Sequence, residues 1–114
     1  VALSFNKVNV KKRIPNGEKM VLVIAIGYGE TQGKSHKSKK LKSVMATKGE
    51  MPEWFQKGAE AALLAPTAIN QQKFKMGIKN GKPVIRIAGM GPYTKIDLGI
   101  VKYHFEVASG HKVC

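Results

Sequence analysis

The sequence predicts an α+β fold in which helices pack on a sheet that includes a hairpin. Three stretches carry this prediction: a continuous apolar run over residues 20–28, a helical pattern after Pro52, and an alternating pattern over residues 73–88. The apolar run is rich in β-branched residues and too short for a typical isolated helix. We therefore expect it to form a central strand that is covered on both faces.

The first long helix is expected to begin around Pro52, because proline is favoured at the first helical position. It is expected to end near Ala65, because Pro66 follows and the residue before a proline avoids helical geometry. Its apolar side chains recur at helical spacing, which predicts one buried face. That face consists of Phe55, Ala59, Ala62 and Leu63.

The stretch over residues 73–88 has the pattern of a β-hairpin. Apolar side chains alternate with lysines and a glycine up to residue 79, which is the period of a half-buried strand. Asn80-Gly81 then indicates a tight turn, and a second apolar stretch returns. Pro83, near the start of the returning strand, favours an edge position.

The last helix is predicted to start with Thr94 as its N-cap, with Asp97 three residues on in a pair that resembles a capping box. Gly110 is expected to end it. Its apolar residues cover most of the helix circumference, so we expect it to be largely buried, with Lys102 and Glu106 on a narrow solvated side.

The length of 114 residues predicts a single domain over residues 1–114. Cys114 is the single cysteine, so no internal disulfide can form. No apolar run approaches the roughly 20 residues that a membrane-spanning helix needs, and no signal peptide is recognisable. We expect a cytoplasmic protein that does not bind a membrane.

The net charge of +13, from 20 Lys and Arg against 7 Asp and Glu, favours anionic partners such as phosphates, nucleic acid or acidic membrane surfaces. A small basic nucleic-acid-binding module is therefore one hypothesis for the function. The lysine-bearing face of the hairpin has no interleaved aromatic residues for base stacking, which counts against this hypothesis.

Two polar segments are candidate binding sites. Lysines and hydroxyl residues cluster around Lys37 and Lys39 after the apolar run, where they could hold a phosphate or form an ordinary surface loop. After the first helix, Thr67 is followed by Asn70, Gln71 and Gln72, and amide side chains suit a polar heterocycle. The alternative is a plain connection between a helix and a strand.

No Ser-His-Asp pattern, carboxylate pair or metal-ligand cluster is apparent, so we nominate neither catalytic residues nor metal ligands. An enzyme built from this chain would need a cofactor for its chemistry.

Residues 60–74 resemble the Ala-Pro-Ser-x-x-Asn-x-Gln-Pro-Trp signature of the FMN-dependent nitroreductase superfamily. Lys73-Phe74 stands where the signature has Pro-Trp, and Thr67 replaces its serine. The remaining signature positions are occupied by Ala65, Pro66, Asn70 and Gln72.

A second stretch is similar to the Gly-Tyr and Lys-Ser-Arg pattern of the same family. Here Gly27-Tyr28 is followed by Lys37-Ser38-Lys39. The family's basic pair contacts the FMN phosphate, and Lys39 in place of arginine would make a point-charge contact.

The order of the two motifs is reversed relative to common members of the family. It resembles a divergent branch in which the carboxyl-terminal half carries its own signature. This resemblance implies that the chain is a carboxyl-terminal half without its amino-terminal half, an expectation that fits a start at Val1.

The resemblance implies a nitroreductase-like fold, with helices packed on a mainly antiparallel sheet and here a half-domain. FMN would lie between two halves or the two protomers of a dimer, with NAD(P)H as transient electron donor and a nitro-aromatic, quinone or similar small molecule as acceptor. A non-catalytic flavin-binding protein of the same fold is an alternative. The cofactor-binding residues implied are Lys37, Lys39, Pro66, Thr67, Asn70 and Gln72.

Overall fold

The computed structural model describes residues 15–19, 26–47 and 49–114, and the chain divides into two compact units, Val1–Lys34 and Ser35–Cys114. In the first unit the N–H of Glu18 donates to the carbonyl of Pro15 at 3.1 Å, which closes a turn over residues 15–18. Most of the predicted central strand, residues 20–25, lies outside the described residues, and residues 26–28 are not part of a strand.

The second unit has an α+β architecture, with helices and a two-stranded antiparallel sheet. A 3-10 turn over Ala68–Asn70 lies between its second helix and its first strand. The elements in chain order are α1 (Leu41–Val44), α2 (Glu53–Ala62), β1 (Phe74–Lys79), β2 (Lys82–Ile87) and α3 (Thr94–Ser109).

The predicted hairpin is confirmed. Strands β1 and β2 pair antiparallel, with Met76 opposite Ile85. Asn80 and Gly81 both adopt left-handed backbone conformations, with φ of 52° and 73°. Two consecutive positive φ angles define the turn whose twist matches that of the flanking strands, which explains the Asn-Gly sequence.

A short segment after α1 lies along the other edge of β1. Met45 forms a parallel bridge with Met76, and the N–H of Ala46 donates to the Met76 carbonyl at 2.7 Å. The hydroxyl of Thr47 accepts a hydrogen bond from the N–H of Ile78 at 3.2 Å. This segment satisfies backbone groups on an edge of β1 that the hairpin leaves open.

Helix α2 begins after Pro52 as expected but ends at Ala62, before the predicted end near Ala65. The N–H groups of Leu64 and Ala65 donate to carbonyls three residues earlier, at 3.0 and 3.2 Å. The chain therefore tightens into 3-10 geometry before it reaches the proline.

The core forms where α2 packs against α3. The rings of Phe55 and Phe105 meet edge to face, with centroids 5.2 Å apart. A Cβ atom on Gly58 would come within 2.7 Å of the Phe105 ring, so glycine permits this close approach. The predicted buried face of α2 is confirmed. Other core side chains with at most 1% exposure are Val44, Ala59, Ala62, Ala65, Met76 and Val101.

The predicted cap of α3 is wrong. Tyr93 is the N-cap residue, with a left-handed φ of 57°, and Thr94 is already helical. Asp97 does not complete a capping box, because its side chain is buried and accepts hydrogen bonds from a different loop. The predicted C-terminus is correct: Gly110 ends the helix with a φ of 70°.

The expectation that α3 is largely buried is also wrong. Val101 and Phe105 are buried, whereas Tyr103 and Val107 are each 68% exposed. Glu106, expected to be solvated, is half-buried because the chain after α3 folds back and residues 112 and 113 bind its carboxylate.

Candidate functional site

The two polar segments singled out from the sequence lie side by side in the unit Ser35–Cys114. The carbonyl of Lys37 accepts hydrogen bonds from the side-chain amides of Asn70 at 3.0 Å and Gln72 at 2.9 Å. The N–H of Lys39 donates to the Gln72 amide oxygen at 2.8 Å, and its ammonium donates to the Gln72 carbonyl at 2.9 Å. Four of the six predicted site residues are thus in direct contact.

Gln72 is the centre of this contact and is only 3% exposed. Its amide nitrogen also donates to the Asn70 side-chain oxygen at 2.8 Å, and its backbone N–H donates to the hydroxyl of Thr67 at 3.0 Å. The Gln72 side chain therefore connects the two segments. Its role as a direct ligand contact stays a prediction.

Thr67 and Pro66 form the start of the loop. Thr67 is buried, and its carbonyl accepts the N–H of Asn70 at 3.0 Å, so both of its oxygens hold the loop closed. Pro66 lies on the surface immediately before it. The structure thus brings all six predicted residues into one region, with Pro66, Lys37, Lys39 and Asn70 exposed and Thr67 and Gln72 buried.

The end of α2 is held by residues 36–39, here called the lysine segment. The hydroxyl of Ser38 donates to the carbonyl of Leu63 at 3.1 Å, and Nε2 of His36 lies 3.3 Å from the carbonyl oxygen of Leu64. Carbonyls at a helix C-terminus lack partners within the helix. His36 and Ser38 provide these missing partners, although the sequence indicated neither contact.

Asp97 holds the same loop from α3. One carboxylate oxygen accepts the N–H of Ala68 at 2.9 Å, and the other accepts the side-chain amide of Gln71 at 2.6 Å. The Gln71 amide nitrogen also donates to the carbonyl of Pro92 at 2.7 Å. Sequence reasoning missed this role of Asp97, because its position near the start of α3 suggested a capping contact instead.

The loop backbone has an unusual conformation. Ile69, Asn70 and Gln72 have positive φ angles of 48°, 54° and 45°. This region is unfavourable for a β-branched residue such as isoleucine. Clusters of strained backbone occur preferentially at functional sites, so the conformation supports a binding role for the loop.

Lys37 and Lys39 form no ion pair with a carboxylate in the described part of the chain. The two ion pairs found there, Glu53 with Lys57 and Glu106 with Lys112, involve residues outside the loop. The Lys37 side chain is exposed and makes no hydrogen bond to a described residue. No group of residues suited to a metal ion occurs within the described ranges.

A groove of about 560 Å³ lies elsewhere, between the segment after α1 and helix α2. Leu41, Met45 and Phe55 contribute to its lining, and none of the six predicted site residues does. The candidate site is instead an open surface of the loop and the lysine segment.

The family model described as "Putative TM nitroreductase" matches residues 1–109, and the chain belongs to this nitroreductase family. A solved structure of a "putative nitroreductase" from Thermotoga maritima is similar to this chain, with 28% sequence identity and a TM-score of 0.62.

That similarity covers 72% of this chain and 36% of the Thermotoga maritima chain. This chain therefore corresponds to well under two thirds of that protein's length. No curated protein matches this sequence significantly. Among the described residues, none of the helices has the length and apolar character required to cross a membrane.

Proposed function

We propose that this chain supplies one wall of an FMN site in an oxidoreductase that passes electrons from NAD(P)H to a nitro-aromatic, quinone or similar acceptor. The observation that carries the proposal is the contact between the lysine segment and residues 67–72, here called the amide loop. In this contact Asn70 and Gln72 bind the Lys37 carbonyl. Membership of a nitroreductase family supports it.

The lysine segment suits the phosphate end of FMN. Lys37 is exposed and makes no hydrogen bond among the described residues, so its ammonium is available for an anion. Lys39 is also exposed and donates to a carbonyl, a neutral acceptor that a phosphate could partly replace. Charge-assisted hydrogen bonds to a phosphate are stronger than bonds between neutral groups.

The loop suits the flat ring and the ribityl chain. Pro66 and Ile69 expose apolar surface, and Asn70 exposes an amide beside them. Thr67 and Gln72 are buried and bound within the protein, so we assign them to shaping the loop. The Asn70 amide binds the Lys37 carbonyl and Gln72, but it is exposed and keeps its second N–H for a ligand. The residues present therefore fit the cofactor, with Asn70 as the most direct polar contact.

Bound FMN would supply the redox chemistry, which no side chain here can perform. The residues of this chain would bind the phosphate, orient the flavin and exclude water from one of its faces. We assign no general acid or base among them.

We place the opposite wall of the site in an amino-terminal half or in a second protomer. The matched region amounts to 36% of the Thermotoga maritima structure, which leaves most of that protein to complete a site. The open, exposed surface of the loop is consistent with a wall contributed from elsewhere.

The test is calorimetric titration of the full-length protein with FMN and with riboflavin, which lacks the phosphate. Replacing Lys37 and Lys39 together by alanine should weaken FMN binding by about 10- to 100-fold and leave riboflavin binding nearly unchanged. Lys79→Ala with Lys82→Ala, at the hairpin turn, removes the same charge as a matched control.

Two results would count against the proposal. Absence of flavin binding by the unmodified protein would remove the function. Equal losses for FMN and riboflavin in the double lysine variant would remove the phosphate assignment. Oxidation of NAD(P)H by the flavin-loaded protein would distinguish an enzyme from a flavin-binding protein without turnover.

Nucleic-acid binding is a second candidate function, favoured by the register of the hairpin. Lys75 lies opposite Arg86 and Lys79 opposite Lys82, and all four are exposed. Like charges directly opposite each other repel, so a bound polyanion would stabilise this face. Affinity for duplex DNA or RNA that falls steeply with salt would support this function, and absence of binding at low salt would exclude it.

A further inference from the structure

Asp97 is unusual among the acidic residues of this chain. All seven Asp and Glu residues lie in the described ranges, and Asp97 is the buried one, at 7% exposure. Burial of a carboxylate is costly unless hydrogen bonds or charges compensate it. The groups that offset the cost of burying the Asp97 carboxylate therefore indicate its role.

The compensation comes from the loop rather than from a cation. Asp97 makes no ion pair with a described residue, and its two oxygens bind the N–H of Ala68 and the amide of Gln71 at 2.9 and 2.6 Å. These partners are 29 and 26 positions away in the sequence. The carboxylate thus holds both ends of the tetrapeptide formed by residues 68–71.

The two residues between those ends both have positive φ angles. Ile69 and Asn70 have φ angles of 48° and 54°, and Ile69 is 68% exposed. Burial of its side chain therefore does not explain the unfavourable backbone of Ile69. Such a conformation persists when surrounding contacts impose it, and the Asp97 carboxylate is the contact that spans it.

We propose that Asp97 is a positioning residue for the flavin: by binding Ala68 and Gln71, it fixes the backbone of Ile69 and Asn70 in the conformation that meets the cofactor. This inference rests on the proposed function. Asp97 touches neither ring nor phosphate in this assignment and acts through the loop.

The geometry requires a carboxylate and not a carboxamide at position 97. The Gln71 amide nitrogen donates to both Asp97 and the Pro92 carbonyl. In Asp97→Asn, a donor would face this donor, and a flip of Gln71 would turn its oxygen towards the Pro92 carbonyl. The Gln71 amide oxygen is tightly enclosed in its present position, because a Cβ atom on Gly91 would lie 2.1 Å from it.

The experiment measures FMN and riboflavin affinities of the full-length Asp97→Asn variant. Both ligands should bind about 10-fold more weakly, because the loop meets the part that they share. This pattern differs from that of the double lysine variant, which affects FMN selectively. Glu106→Gln, which alters another carboxylate of α3, should leave both affinities unchanged.

A suppressor distinguishes positioning from general support of the fold. Glycine adopts positive φ without strain, so Ile69→Gly reduces the need for the Asp97 contact. In the Ile69→Gly background, Asp97→Asn should weaken binding by less than about threefold, since the left-handed backbone of residue 69 no longer carries a steric cost. An equal loss in both backgrounds would overturn the inference.

A measurement without flavin keeps the two proposals separate. The Ala68 amide should exchange slowly with solvent in the unmodified protein and faster in Asp97→Asn, as monitored by NMR. Should Asp97→Asn not fold, Gln71→Ala removes one of the two bonds and should show the same changes at smaller size. Failure of the unmodified protein to bind FMN would defeat the proposed function.

Unchanged flavin affinities in a folded Asp97→Asn variant whose Ala68 amide has lost protection would defeat the positioning role alone.

Discussion

Buried side chains in this protein form hydrogen bonds with backbone groups of the loop and of the lysine segment. Thr67 accepts the N–H of Gln72, and Gln72 binds the backbone at Lys37 and Lys39. These side chains are buried, so removal of one leaves its hydrogen-bond partner buried, with no water to replace the lost bond. Their effect on stability should therefore exceed that of the exposed residues beside them.

Thr67→Val tests this point, because valine keeps the shape and removes the hydroxyl. The buried N–H of Gln72 would lose its acceptor, and we expect the free energy of unfolding to fall by about 1–3 kcal/mol. Urea denaturation measures the change. Thr67→Ser keeps the oxygen and should cost clearly less. A Val variant as stable as the original would show that the hydroxyl contributes little.

Glu106 makes the chain after α3 sensitive to pH. The backbone N–H of Val113 and the ammonium of Lys112 bind its carboxylate and hold its pKa below the usual range. A lowered pKa in the folded state means that the contact stabilises the protein above the ordinary glutamate pKa and is lost as pH falls through the lowered value.

We therefore expect the Val113 amide resonance to shift during acidification, in step with the Glu106 carboxyl, in an NMR titration. Glu106→Gln should abolish this transition. A Val113 shift that persists in the Gln variant would assign the transition to another group.

Asp97 shows why part of the site could not be predicted from the sequence. Its residue type and its position near the start of α3 fit a local capping contact, whereas its partners Ala68 and Gln71 are far away in the sequence. Asn70 and Gln72 could be nominated, because the resemblance to a signature marked them. No local pattern showed that both amides bind the Lys37 carbonyl.

Whole elements were predicted well where the signal was local. The hairpin followed from alternation and from Asn80-Gly81, and the buried face of α2 followed from helical spacing. Helix α3 was predicted less well, because its apolar residues exceed what one core face can cover. The sequence does not show that Tyr103 and Val107 remain exposed while Phe105 is buried.

The close packing of α2 on α3 gives an expectation for two glycines in helices. In Gly58→Ala the new Cβ would lie 2.7 Å from the Phe105 ring, and we expect a loss of about 1–3 kcal/mol despite the better helix propensity of alanine. In Gly99→Ala the Cβ meets nothing within 4 Å, and stability should rise by up to about 1 kcal/mol.

Thermal or urea unfolding of both variants provides the comparison. Opposite signs for the two changes are expected. A stabilised Gly58→Ala variant would mean that Phe105 can move aside and that the packing is looser than the structure indicates.

At the scale of the whole molecule, excess positive charge opposes folding. The net charge is +13, and the described residues form two ion pairs. Repulsion between like charges destabilises the compact state, and salt screens it.

Raising NaCl from low concentration to about 0.5 M should therefore increase the unfolding temperature by a few degrees, measured by circular dichroism. Glycerol at equal osmolality serves as the uncharged comparison. A temperature that falls or stays constant with NaCl would show that surface repulsion is not a significant term in this protein.

The contact between Gln72 and the lysine segment has a consequence for the order of folding. It joins positions 33 and 35 residues apart, so it must close a long stretch of chain. Closure of such a stretch costs about 3 kcal/mol of chain entropy, which is comparable to what the few hydrogen bonds between the two segments return. We therefore expect the two segments to associate after α2, which lies between them in the chain, has folded and packed on α3. The proposed wall of the cofactor site is accordingly expected to form late in folding, after the core of α2 and α3 has packed.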